Sequence, residues 1–257
     1  MQRIYGDGRM KMLDLFSGLG GASEAFIQDP KWDVQRIENN ILLKEVPRTT
    51  IKSVFELRDE LVEMRNQGFD PSEDIDLIWA SPPCTEFSLA FSAPQSIALR
   101  ENVPYEPSLD LLSATIEIIT ILKPKYWVIE NVRGATKWFE PCLGKPVKVI
   151  GHSVFLWGKF PGFENPTIDS KFKDEGSSRC PLRANRRALI PFEISSSLKH
   201  AVECQRSIFD YIDDVCECVY DEYGIPLHQC EECYFAEISD LCSCVDGETD
   251  IYCTECF

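Results

Sequence analysis

The chain has 257 residues, 44% of them apolar, and a formal net charge of −16. That length suits one large α/β domain, alone or with a small appendage. No apolar run approaches the roughly 18 residues of a membrane helix, and residues 1–11 lack the apolar core of a secretion signal, so a cytoplasmic protein without membrane contact is expected. The charge is uneven: residues 211–257 hold 13 acids and no Lys or Arg, while the first 210 residues hold 29 acids against 26 bases. A near-neutral body can present a basic cleft, whereas the tail repels phosphate.

Residues 12–16 read as a strand, followed by the glycine turn Ser17-Gly18-Leu19-Gly20-Gly21 and a short helix over 22–27. Glycines there permit positive φ and close approach of a ligand to the backbone, and the helix start offers free N–H groups. A second strand over 34–38 ends on Glu38, about 20 residues on, where an acid can hold ribose hydroxyls. Together these point to an adenosine-containing ligand. No Gly-Lys-Ser/Thr follows the turn, which argues against a P-loop.

Residues 54–66 read as a helix. The apolar run 75–80 reads as a buried strand, stopped by Pro82 and Pro83, neither of which can donate a ladder hydrogen bond. Cys84 follows on that stiff turn, at a strand end, where open α/β sheets form ligand crevices. A rigidly held thiol suits covalent catalysis; an inert buried cysteine is the alternative. Residues 86–107 lack periodicity and read as a long loop suited to a lid. A helix over 109–122, a strand over 126–129 ending at Glu130, a late strand over 153–157 and a helix over 186–201 broken near Pro191 complete the body. Strands alternating with helices imply a mostly parallel sheet covered on both faces.

Three segments at strand ends, DLFSGLGG (14–21), SPPCTEFS (81–88) and ENVRG (130–134), resemble the DNA cytosine-5 methyltransferases in order and spacing. The resemblance covers about residues 11–202 and is nearest to short, phage-type members, whose late motifs are matched by VFLWGKFP (154–161) and RRALIPFEIS (186–195). It implies a Rossmann-like S-adenosylmethionine-dependent methyltransferase fold with DNA as partner and S-adenosylhomocysteine as product. Carried over by position, Cys84 attacks C6 of a flipped-out cytosine and Glu130 holds the N3 edge. Pro83 shapes the pocket and Asn131 braces the Glu130 turn. Asp14, Phe16, Ser17, Gly18, Gly20, Gly21, Glu38 and Pro82 form the cofactor site. Phe16 and Trp79 are candidates for the adenine pocket, or core aromatics.

The chain also departs from the family pattern. Val149–Ser153 stands where family members carry Gln-x-Arg-x-Arg, leaving Lys148 or His152 as stand-ins. The acid after the third strand has two candidates, Glu56 and Asp59. Arg187-Ala188-Leu189 replaces a Gly-Asn signature. The target-recognition region is reduced to about 158–185, too short to read several base pairs. Arg179, Arg183, Arg186 and Arg187 make a basic cluster there, for phosphate contact or as a solvated face.

The domain reading is 1–210 for catalysis and 211–257 for an acidic module. Cys216, Cys218, Cys230 and Cys233, then Cys242, Cys244, Cys253 and Cys256, form two similar halves, each enough for one tetrahedral Zn²⁺. Iron–sulfur ligation and disulfides are the alternatives. Two Zn(Cys)₄ centres make the tail still more acidic, which favours a protein partner over phosphate. Two rival functions remain: a tRNA cytosine-5 methyltransferase on the same fold, and a catalytically silent binding protein whose tail carries the function.

Overall fold

The computed structural model describes residues 8–71, 75–168 and 180–205. All eight tail cysteines, Arg179 and the tail's charge lie outside them.

Seven strands form one sheet: β1 (Met10–Leu15), β2 (Trp32–Glu38), β3 (Thr49–Ile51), β4 (Leu77–Ala80), β5 (Tyr126–Asn131), β6 (Lys148–Ile150) and β7 (Val154–Lys159), in the order β3-β2-β1-β4-β5-β7-β6. The first five are parallel, and β7 runs antiparallel to both β5 and β6. The chain leaves β1 toward β3, then returns to β4 on the other side of β1. The order therefore reverses between β1 and β4, which opens a crevice at the C-terminal ends of those strands. This mixed, doubly covered sheet is the expected Rossmann-like methyltransferase architecture.

Strand alternation sends two sets of side chains to opposite faces. Leu13, Leu15, Ile78, Ala80 and Ile129 pack with residues of α2 (Val54–Asn66), α4 (Asp110–Leu122) and α5 (Thr136–Leu143). Met12, Leu77, Trp79 and Val128 pack on the other face with Phe26 of α1 (Glu24–Ile27) and Ile194, Leu198 and Val202 of α7 (Phe192–Cys204). Ser53 caps α2 in a reciprocal capping box with Glu56. Ser195 of α7 accepts from Ala25 N–H and donates to Ala22 C=O, which ties the last helix to the glycine turn. No helix among the described residues is long and apolar enough to cross a membrane.

The segment 86–107 is not the open loop expected. It contains α3 (Pro94–Glu101), started by Pro94 in the first turn and stopped by left-handed Asn102. Tyr105 donates to Glu86 C=O (2.9 Å) and the Ser108 N–H to the Glu86 carboxylate (2.8 Å), which closes the excursion at its base. The late helix is two helices, α6 (Arg183–Arg187) and α7, parted as expected around Pro191.

Candidate active site

β4 and β5 are paired in parallel with Ala80 opposite Ile129, so Ser81 and Glu130 follow side by side at the strand ends. Two residues past Pro82, the Cys84 C=O accepts from the N–H groups of Phe87 and Ser88. That tight turn fixes the thiol. Asn131 is buried and spans the two strand ends, donating to Pro82 C=O (3.0 Å) and accepting from Val132 N–H (2.9 Å). It therefore braces both turns at once. Pro82 is buried and Pro83 exposed.

The two reactive groups feel each other. Burial, then the neighbouring Glu130 charge, pushes the Cys84 thiol up. Burial raises Glu130 to about 7, opposed by the polar Ser81 side chain beside it. Two anions this close disfavour one another, so a protonated Glu130 eases formation of the Cys84 thiolate. Gly134 sets their separation. It lies on the turn after β5, where a Cβ would sit 1.9 Å from Phe87 C=O, so only glycine lets that turn approach the Cys84 segment. A cavity of about 60 Å³ behind the Cys84 turn is lined by Pro82, Phe87, Leu112 and Phe139 among others. Neither Cys84 nor Glu130 lines it, and it is too small for a pyrimidine.

The glycine turn closes the neighbouring strand ends. Phe16 adopts φ 58°, a left-handed conformation that costs a bulky residue about 1 kcal/mol or more. Glu38 accepts from Gly18 N–H (2.8 Å) and Asn40 N–H (2.8 Å), so it holds the turn from β2. Beneath lies a buried polar cluster. Ser23 donates to Asp14 (2.5 Å). Arg36, 1% exposed, donates to Ser23 Oγ, Gly20 C=O, Pro47 C=O and Glu24. Burial raises Asp14 to about 7, against the pull of Ser23 and Arg36. One Asp14 oxygen and the Ser17 hydroxyl are buried without a partner.

Several residues named from the sequence are engaged within the protein. Gly20 and Gly21 face the protein rather than open space: a Cβ on Gly20 (φ +83°) would meet the Arg36 guanidinium at 2.3 Å, and one on Gly21 would meet Ile190 C=O at 2.3 Å. Of the three turn glycines, Gly18 alone has room for a Cβ, with Asn185 of α6 3.8 Å away. Trp79 is wholly buried in the core and donates to Ser81 (2.7 Å), so it does not line an adenine pocket. Glu56 is spent on the α2 cap and Asp59 pairs with its neighbour Arg58. Lys148 donates to Phe163 C=O, and His152 is exposed. Arg183, Arg186 and Arg187 lie exposed on α6. Arg36, Ser81 and Gly134 carry much of the geometry and were not read from the sequence; Arg36 stands between Val34 and Ile37, buried like them, in a strand that also carries Asp33, Gln35 and Glu38.

Residues 10–140 match the C-5 cytosine-specific DNA methylase family. The chain belongs to that family. Similar proteins include the type II methyltransferase M.XorII of Xanthomonas oryzae pv. oryzae, 30% identical over 165 residues, covering 61% of this chain and 33% of that protein. A probable DNA (cytosine-5)-methyltransferase of Frog virus 3 is 26% identical over 133 residues, covering 48% of this chain and 53% of that protein. The DNA (cytosine-5)-methyltransferase PliMCI of Paracentrotus lividus is 27% identical over 140 residues, covering 49% of this chain and 8% of that protein. The chain thus spans about half or less of the relatives it matches. Within this methylase-family chain, the β1–β2 end fits a polar, adenosine-bearing cofactor: the orphaned Asp14 oxygen and Ser17 hydroxyl lack partners, and each Glu38 oxygen keeps a second lone pair.

Proposed function

We propose that this chain transfers a methyl group from S-adenosylmethionine to C5 of cytosine in DNA through a covalent bond to Cys84. The observation that carries this reading is the pairing of Cys84 with a raised-pKa Glu130 across the β4 and β5 ends. Phe16, Ser17, Gly18 and Glu38 would hold the cofactor, which supplies an electrophilic methyl group when bound. Asp14, Gly20, Gly21 and Pro82 act behind them, shaping the two turns.

The chain's own groups account for the rest. Cys84 Sγ bonds to C6 of the base as its proton leaves to solvent. Protonated Glu130 meets the N3 edge and neutralises the negative charge that attack pushes into the ring. With C5 thereby made nucleophilic, methylation there is followed by loss of the C5 proton to solvent and release of Cys84, which restores the aromatic ring. Asn131 keeps the thiol and the carboxyl in register through Pro82. Tritium transfer from methyl-labelled S-adenosylmethionine to DNA, with tRNA as the parallel substrate, tests this directly. Label in DNA that requires Cys84 is expected; label confined to tRNA, or in neither, contradicts it.

The tail reading is a separate proposal. Its eight cysteines suit two structural Zn²⁺ ions, so the purified full chain is expected to carry about two zinc per chain. Removal of residues 211–257 is expected to leave methyl transfer in place and to abolish an interaction with a protein partner.

A further inference from the structure

β1 and β2 pair with Asp14 opposite Arg36, on the face where Met12 and Val34 are buried and apolar. An apolar side chain at position 36 would continue that core, whereas a buried cation is costly unless its donors are met. Arg36 is nevertheless only 1% exposed. We propose that Arg36 is a positioning residue for the cofactor, its guanidinium holding the glycine turn in the shape that S-adenosylmethionine meets, a role that rests on the cofactor reading given above.

The guanidinium spends its donors on the turn and on the chain beside it. Nε donates to Ser23 Oγ (2.8 Å), Nη2 to Gly20 C=O (2.9 Å) and to the Glu24 carboxylate (3.2 Å), and Nη1 to Pro47 C=O (3.1 Å). Gly20 is also where the turn's own bonds converge: its N–H donates to Ser17 C=O and its C=O accepts from Ser23 N–H. A Cβ on Gly20 would fall 2.3 Å from the guanidinium carbon, so the fork fills the space that the missing side chain leaves. Ser23 extends the hold to β1, since its hydroxyl accepts from Arg36 and donates to Asp14. The other Asp14 oxygen and the Ser17 hydroxyl are the buried groups without partners.

β2 thus grips the turn at two points: Glu38 accepts from Gly18 N–H, and Arg36, two residues earlier, donates to Gly20 C=O. Between those points the turn can neither swing from β2 nor collapse onto Asp14. A lysine would keep the charge but offers one ammonium, whereas the planar fork reaches Ser23, Gly20 and Pro47 together.

The test uses the full-length chain. Without cofactor, hydrogen exchange read by mass spectrometry is expected to quicken in Arg36→Ala over residues 15–24, with residues 126–131 unchanged. The calorimetric Kd for S-adenosylmethionine is expected to rise about tenfold, the scale of lost charge-assisted hydrogen bonds. KM for S-adenosylmethionine should rise with it, while kcat at saturating cofactor changes far less. Arg36→Lys is expected to retain most of the loss, and carries the test where Arg36→Ala does not fold. An unchanged Kd in either variant overturns the proposal. So does a fall in kcat at unchanged KM, or exchange that quickens equally at both places, as a purely structural arginine would give. The two readings fail separately. Weakened S-adenosylmethionine binding in the variants of a chain that methylates no DNA keeps this role and removes the proposed reaction; unchanged binding in an active enzyme does the reverse.

Discussion

Glu38 and Glu130 stand at the ends of two parallel strands of one sheet, and they are wired in opposite ways. Glu38 spends both oxygens on backbone N–H donors, at Gly18 and Asn40. Glu130 meets one hydroxyl and an otherwise apolar, desolvated setting that lifts it to about 7. Two backbone donors make a carboxylate a fixed brace for a turn. One neutral hydroxyl neighbour and burial make a carboxyl that can carry a proton at neutral pH. The same side chain at equivalent places becomes scaffold or acid according to its donors.

The contrast breaks most sharply at Glu130. Glu130→Gln is expected to lower kcat about 10²- to 10⁴-fold, the range for a lost general acid. The same change removes the negative neighbour that holds the Cys84 thiol up, so iodoacetamide should alkylate Cys84 faster at pH 8 even as turnover falls. Slower alkylation would break the coupling of the pair. Gly134→Ala comes next. Its Cβ cannot coexist with Phe87 C=O, and a displacement of about 1 Å between reacting groups costs on the order of 10²-fold in rate. Cofactor affinity, measured by calorimetry, should stay within about twofold, because the clash is at the reactive end only.

At the scaffold end the expected effects are smaller. Gly20→Ala combines a left-handed φ with expulsion of a guanidinium that bonds four partners. Stability should fall by on the order of 2 kcal/mol, with cofactor affinity reduced about tenfold. Asp14 sharpens the comparison through pH. Its folded pKa of about 7 lies above the unfolded value, so the native state keeps a proton that the unfolded chain releases. That contribution is fullest below pH 4 and is lost as pH rises toward 7, on the order of 2 kcal/mol between pH 5 and 8. Urea unfolding of Asp14→Asn at those two pH values should show this slope flattened; an unchanged slope would mean that Asp14 is not held neutral.

What could be read from the sequence follows from the range of each interaction. β1, β2, β4, β5, α2 and α4 are marked by local periodicity and by Gly, Pro and capping residues, so they were legible with Cys84, Glu130 and Asn131 at their expected strand ends. β3 and β6 are three residues each, too short for a period to show. α3 was missed because exposed Ile97 and Leu99 blur its amphipathic pattern. Gly20 and Gly21 look identical in sequence to ligand-cradling glycines; only the fold brings Arg36 and Ile190 against them. Ser81 was equally invisible, since its hydroxyl is held by a core indole two residues earlier.

The central claim is that Cys84 bonds to a cytosine while Glu130 supports the ring. The most direct measurement is trapping with DNA containing 5-fluorocytosine in the presence of S-adenosylmethionine, since fluorine at C5 blocks the proton loss that frees the enzyme. The expected result is a denaturation-resistant protein–DNA adduct whose peptide map places the modification on Cys84, absent in Cys84→Ala. No adduct from an active chain, or one mapped to a different residue, would contradict it.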